Sequence, residues 1–584
     1  MLTFVSISIC FSAELVRSQT IDTVPAANLT QTLPQPAIPP PQNILPPPRP
    51  ETPALPAPQT SPPQPPSNDL LQPPVQSPPS SQTPVVTPGT ITVEQFRFIG
   101  NTAFTSKTLE KLLSPFTKKP ITFAQLLQAS IAVANLYKRH GYITSGALTP
   151  ANQAINSGVV TIRVIEGRVE KIQVTGTRRL NPNYVRSRLA LAASKTLNYN
   201  RILEALQLLQ LNPLIKNISA DFAAGSRPGR SVLNVKIAEA KTFSTQLSLD
   251  NNRPPSVGTF QRGVQLGEAN LLGFGDGLSA GYSNTDGSHN VNGSYTLPLN
   301  PRNGTLTLSY GSTWSHVIEA PFNRLRINAN YRYLDLILRQ PLIQTPAQEL
   351  AFGVTASRRE SDFSILGSHL LGREISLGSD AQGRTRISAV RFFQEWTNRN
   401  SREVLAFRSQ FSIGIGAPNA TIHRSAPDSR FFYWQGQGQW VRLLAPDTLL
   451  LIRGAVQVSS RPLVPLEQFG LGGIDSVRGY RQDLLLTDSA VSASAEFRVP
   501  VLHISRNNVF QLTPFVDFGY GWNASSRIRV GPNNTLASVG IGLRWQMGNN
   551  LSARFDYGIP LINVSSRDRT LQEQGIYFSV NMQL

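Results

Sequence analysis

From about Phe243 to Leu584 the chain alternates apolar and polar residues with a period of two. In a β-strand that period sends successive side chains to opposite faces. Arg324 to Tyr333 shows it: Leu325, Ile327, Ala329, Tyr331 and Tyr333 alternate with Arg324, Arg326, Asn328, Asn330 and Arg332. The same dyad recurs at Thr305–Tyr310, Leu405–Ile415, Ala493–Val499, Ser538–Trp545, Leu551–Gly558 and Phe578–Leu584, with turn signals such as Pro301-Arg302-Asn303-Gly304 between segments. A soluble sandwich would also alternate. The arginine-rich polar face and the unbroken series of about 340 residues instead predict a membrane barrel with lipid outside and a wet lumen. On this reading the apolar face of Arg324–Tyr333 meets lipid, and Arg324, Arg326 and Arg332 are lumen-facing.

Ahead of the barrel the period changes. Residues 91–167 read β-α-α-β-β: a strand at Val93–Ile99, a turn at Gly100-Asn101, a helix at Thr105–Leu113, and a second helix opened by the capping box Thr122 to Gln125 and stopped at Gly141. Residues 168–241 repeat the plan, with strands at Val169–Val174 and Val232–Ile237 and helices near Pro182–Leu191 and Ile202–Leu211. Two units of similar length predict tandem small α/β modules.

Composition adds the rest of the layout. Residues 25–90 hold about half of the chain's 45 prolines and hardly any charge, so 19–90 is expected to be an extended, disordered linker. Leu2–Ala13 is an apolar run of signal-peptide length without a basic start, and residues 1–18 are expected to be a signal segment. The one cysteine, Cys10, leaves the folded part without thiols, as suits an oxidising compartment. No run of apolar residues is long enough for a transmembrane helix. The net charge of +19 is spread singly through strand segments, so a nucleic-acid partner is not expected. The six tryptophans fit interfacial girdles, and the six histidines show no ligand spacing. Neither a metal, a cofactor nor an enzymatic activity is expected, for no nucleophile elbow, phosphate loop or paired carboxylate appears.

The candidate chemistry is a charge pair. Leu471-Gly472-Gly473-Ile474-Asp475-Ser476-Val477-Arg478-Gly479-Tyr480 is a Gly-rich loop, and Phe515-Val516-Asp517-Phe518-Gly519 is a strand whose lone carboxylate has apolar neighbours. An ionised group away from water persists only when paired, so Arg478 and Asp517 are expected to meet.

With these residues in view the chain resembles the two-partner secretion outer-membrane transporters, the TpsB family of haemolysin and filamentous-haemagglutinin secretion proteins (ShlB/FhaC/HecB type). Phe96 to Phe104, including Phe98, Gly100 and Asn101, resembles the opening of a polypeptide-transport-associated (POTRA) domain. Gly141-Tyr142 with Glu166-Gly167 resembles its close, Asn270 to Asp276 an early barrel signature, and Val477-Arg478-Gly479-Tyr480 with Asp517 and Gly519 an inward loop and the strand that receives it. The resemblance implies α+β POTRA domains at 91–167 and 168–241, then a transmembrane antiparallel β-barrel of sixteen strands at 242–584 whose loop around 466–485 folds inward. It further implies a bacterial outer-membrane location with the POTRA domains in the periplasm, lipid around a monomeric barrel, and export of an unfolded secreted exoprotein client that contacts residues 120–165. Family members often start with a plug helix and end on an aromatic residue; here a proline-rich stretch and Leu584 stand in those places. An assembly factor for barrel proteins and a passive diffusion pore are the rival readings, the first expected to carry more POTRA repeats and the second none.

Overall fold

The computed structural model describes residues 70–72, 90–150, 153, 158–369, 376–416, 419–505, 507–525, 533–564 and 570–584. The signal segment and most of the proline-rich stretch lie outside the described residues. One part of that stretch is not a linker. Leu71–Gln72 forms a strand, β1, paired in parallel with β8 (Ile215–Ala224), and Leu70 and Leu71 are buried in the core of the second module. Two leucines between proline runs supply the apolar surface that the surrounding composition lacks.

In the first module β2 (Thr90–Thr92), β3 (Gln95–Ile99) and α1 (Ser106–Leu113) are followed by β4 (Pro120–Thr122), α2 (Phe123–Arg139), β5 (Gly146–Leu148) and β6 (Val159–Ile165). Thr122 and Gln125 form the expected reciprocal capping box at the start of α2. The sheet order is β3-β6-β5, and the helices bury Leu109, Leu113, Leu126, Val133 and Tyr137 against Phe96, Val160 and Ile162. The second module contains β7 (Arg168–Thr175), α3 (Pro182–Ala193), α4 (Tyr199–Gln210), β8 and β9 (Arg230–Glu239), with sheet order β1-β8-β9-β7 and its own core.

The barrel is closed and has sixteen strands. The first eleven are β10 (Phe243–Asp250), β11 (Gln261–Glu268), β12 (Gly277–Asn284), β13 (Ser288–Pro298), β14 (Thr305–His316), β15 (Asn328–Gln344), β16 (Gln348–Ser364), β17 (Arg384–Arg399), β18 (Glu403–Ile415), β19 (Phe432–Ala445) and β20 (Thr448–Ser459). A loop carrying the ribbon β21 (Phe469–Leu471) and β22 (Leu485–Thr487) follows. The remaining strands are β23 (Ser489–Ser505), β24 (Asn508–Trp522), β25 (Thr535–Met547), β26 (Leu551–Pro560) and β27 (Ile576–Gln583), which closes on β10. Connections such as 345–347 and 446–447 at the end bearing the modules are short, and most of those at the other end, 285–287 apart, are long, the asymmetry of an outer-membrane barrel. Outward positions form an apolar band, for example Leu334, Leu336 and Leu338 on β15 and Val539, Ile541 and Leu543 on β25. Trp396, Trp440 and Trp545 lie near the short turns and Trp314, Trp434 and Trp522 near the long loops, so aromatics mark both rims.

The basic face read into Arg324–Tyr333 is corrected. Phe322–Leu325 is a turn of 3-10 helix and Arg326 has a φ of 43°, so Arg324 and Arg326 precede the strand and have no place on its lumen face. Within β15, Tyr333 pairs with Arg359, which reaches into the lumen, so odd positions face inward and Arg332 faces outward on Glu360. The reason is what fills the lumen. Ile327, Ala329 and Tyr331 are apolar because they pack beneath Leu463, Val464 and Leu466 of the inward loop, and the polar even positions lie beyond the lipid band that begins at Leu334.

Candidate functional site

Residues 460–488 turn back into the barrel and carry Leu471–Tyr480 to the inner face of β23–β26. Val477 is fully buried with Leu471, Tyr480, Ala490 and Leu536, which seats the tip by apolar packing before any charge is considered. Gly479 has a φ of 95°, and a Cβ there would also press on the carbonyl of Gly558, so only glycine suits the position. A Cβ at Gly519 would meet Val477 and Leu471, so the receiving strand leaves room for the tip.

Arg478 then reaches the wall. Its Nε donates to Asp517 Oδ2 at 2.7 Å and its Nη2 to Asp517 Oδ1 at 2.8 Å, a bidentate pair, while its backbone N–H adds a third bond to Oδ2 at 3.1 Å. Nη1 donates to Glu496 Oε2 at 2.9 Å, and Asp556 Oδ2 lies 3.7 Å away. The guanidinium lies 3.4 Å from the centroid of the Phe515 ring. Arg478, Asp517, Glu496 and Asp556 are each 2 % exposed or less. Arg453, Arg498 and Arg554 complete the cluster on Glu496 and Asp556, so four arginines face three carboxylates and each buried anion has a cation partner. Tyr480 Oη donates to the Ala537 carbonyl at 2.8 Å, and Tyr577 Oη accepts from Gly479 N–H at 3.0 Å while donating to the Tyr480 carbonyl.

The structure thus brings Val477, Arg478, Gly479, Tyr480, Asp517 and Gly519 together at one place. Glu496, Asp556 and Tyr577 belong there too and escaped the sequence reading. Their signal was a charged or hydroxylated residue at an inward register position, which is visible only once the facing of each strand is known.

The residues resembling a POTRA motif hold the first module together. Asn101 Nδ2 donates to the Phe104 carbonyl at 3.0 Å, Phe104 packs edge-on to Tyr137 and Tyr142, and Phe98 covers the core. Gly100 and Gly141 have positive φ, and Gly167 N–H donates to Ser145 Oγ at 3.0 Å. Glu166 joins the modules. It accepts from the N–H groups of Thr102 and Ala103, from the Thr102 hydroxyl, from Tyr137 Oη at 2.8 Å and from Thr196 Oγ1 of the second module at 2.8 Å.

Burial alone would raise the Glu166 carboxyl, but the Thr102, Ala103 and Thr196 donors outweigh it and hold the group down to about 2. Burial first, and then the bond to Glu166, push the Tyr137 phenol above its ordinary value. Because the folded pKa of Glu166 is depressed, its contribution to stability is complete above its ordinary value of 4.5 and is lost as pH falls towards about 2. In fragment 70–241, acid unfolding followed by circular dichroism should therefore steepen across that window. Glu166→Gln should flatten it, and identical acid limbs in the two proteins would contradict the assignment.

Residues 229–545 match the family model described as haemolysin secretion/activation protein ShlB/FhaC/HecB, and residues 91–167 match the POTRA domain, ShlB-type. The chain is 23 % identical over 509 residues to the outer membrane transporter CdiB of Escherichia coli O6:K15:H31, covering 83 % of this chain and 81 % of that protein. It is 22 % identical over 479 residues to the heme/hemopexin transporter protein HuxB of Haemophilus influenzae, covering 78 % and 80 %. The solved structure of CdiB from Escherichia coli superposes with a TM-score of 0.66 at 20 % identity, over 87 % of this chain and 93 % of that one.

Proposed function

Because the chain belongs to the haemolysin secretion/activation protein ShlB/FhaC/HecB family, we propose that its first module captures an extended segment of an unfolded exoprotein, which the barrel then passes outward. The chain is an outer-membrane two-partner secretion transporter, and a secreted protein is its partner. Both modules stand in the periplasm at the short-turn end, and the tip of the inward loop, locked by Arg478, keeps the resting lumen closed.

One observation carries the capture step. On α2, Phe123, Leu127 and Ile131 repeat every four residues and are 52, 49 and 49 % exposed, a stripe of apolar side chains facing solvent. Beside it runs β5, which pairs only with β6 among the described strands and shows Leu148 to solvent. An extended chain added at that edge would gain backbone hydrogen bonds whatever its sequence, and its alternate side chains would lie on the stripe. The groove falls within residues 120–165, and its apolar character suits an unfolded client whose hydrophobic side chains are not yet buried.

Fragment 70–241 should bind the amino-terminal region of the cognate exoprotein with micromolar affinity, as small transient interfaces do. Each buried Leu or Ile side chain is worth ~1.5–3 kcal/mol, so Leu127→Asp with Ile131→Asp should weaken binding by at least ~10²-fold. Unchanged binding by this folded double variant in calorimetry would remove the groove from the mechanism.

A further inference from the structure

A second buried charge cluster holds the same loop on the neighbouring stretch of wall, from β16 to β20. Glu467 lies in the 3-10 turn Pro465–Glu467, eleven residues before Arg478, and its side chain is 1 % exposed. Its Oε1 accepts from Arg391 Nη2 at 2.8 Å and Arg359 Nη1 at 3.1 Å, and its Oε2 accepts from Tyr433 Oη at 2.7 Å and Arg391 Nη1 at 3.0 Å. Its own carbonyl accepts from Gln457 Nε2 at 3.0 Å. These partners come from β16, β17, β19 and β20, whereas the partners of Arg478 come from β23, β24 and β26. Around Glu467 the turn is packed by Leu463, Val464 and Leu466 against Ile327, Tyr331 and Phe363, a core separate from the one beneath Val477.

Between the two clusters Leu471 still packs on the wall beside Gly519, but part of the loop leaves a gap. A polar cavity of about 350 Å³ separates Gln468, Asp475 and Ser476 from Gln435, Gln437 and Ser494 on the wall. Two buried, charge-locked contacts on either side of this cavity make two separate fastenings.

We propose that the inward loop is a strap with two anchors, in which Glu467 is a positioning residue that fixes the ascending arm independently of the Arg478 tip, so that the lumen opens fully only when both are released. This rests on the reading of Arg478 as the tip lock. Releasing the tip alone leaves the arm pinned at Arg359 and Arg391, from which the tip can return to the same seat. The Glu467 anchor therefore limits how far the loop travels, and with it the pore that a passing polypeptide finds.

The test uses the full chain carrying Cys10→Ser, with a reporter thiol at either Val464→Cys or Val477→Cys, each of which replaces a fully buried valine under one anchor. Glu467→Gln should speed labelling of Val464→Cys by a water-soluble maleimide at least about tenfold and leave Val477→Cys within about twofold of wild type. Arg478→Ala should do the reverse. In planar bilayers the double variant should conduct severalfold more than either single one. If Glu467→Gln perturbs assembly, judged by heat-modifiable mobility, Tyr433→Phe removes the bond to Glu467 and the one accepted from Arg391, leaves both ion pairs, and should speed the Val464→Cys reporter by a smaller factor. Wild-type labelling of Val464→Cys in both Glu467→Gln and Tyr433→Phe, or release of both reporters by Arg478→Ala alone, would overturn the second anchor. The Val477→Cys reporter separately reads the tip lock, so the two failures are distinguishable.

Discussion

Arg478→Ala should abolish export of the exoprotein while the barrel still assembles and shows heat-modifiable mobility. From the loop side the Arg478 guanidinium gives Asp517 two bonds, beside the one from the backbone N–H, and it also donates to Glu496. Removing one partner of a buried pair costs ~3–5 kcal/mol because the other charge is left uncompensated. Spent on seating the loop, that is a shift of ~10²-fold to several thousandfold from the docked to the undocked state. The barrel itself is little affected, since its ladder of sixteen strands does not pass through the loop. Arg478→Lys should recover only part of the export, for an ammonium cannot make the bidentate bond to Asp517 or lie flat on Phe515. Asp517→Asn should resemble Arg478→Ala. Wild-type export by both Arg478→Ala and Asp517→Asn would sink the lock.

Much of this site could be read from the chain before any coordinates. Arg478 and Asp517 were legible because one is the lone cation of the Gly-rich loop Leu471–Tyr480 and the other a lone carboxylate among apolar residues, and two such groups have few ways of staying ionised except by meeting. The capping box at Thr122 was legible because a helix start leaves unpaired N–H groups that only certain side chains satisfy.

The facing of β15 was not legible. Period two states that Ile327 and Asn328 lie on opposite faces but not which face is lipid, and here the lumen end of the strand is the drier one because the loop fills it. Composition hid β1 for a related reason: the prolines around Leu70 and Leu71 exclude a long strand, yet two buried leucines suffice to add an edge to an existing sheet. Glu467, Glu496 and Asp556 were not legible, because their partners Arg359, Arg391 and Arg478 lie far away in sequence and are brought near only when the barrel closes and the loop folds in.

The second large effect concerns the route. Gln435, Gln437 and Gln457 present neutral hydrogen-bonding groups on the inner wall beside the loop, flanked by the small residues Ala455, Ser492 and Ser494. Such a surface hydrates an extended chain without offering it an apolar patch on which to stall. Positions one residue away face the other medium: Val458 on β20 is 44 % exposed on the outer surface. A client moving through the lumen must therefore pass Gln437 and never meet Val458. The most direct measurement places a photo-crosslinking amino acid at Gln437 or at Val458 and stalls the cognate exoprotein in transit with a stably folded carboxy-terminal domain. The account predicts abundant client crosslinks from position 437 and none from 458, whereas export that proceeds with no crosslink from 437, or with equal crosslinking from both, would contradict passage through the barrel.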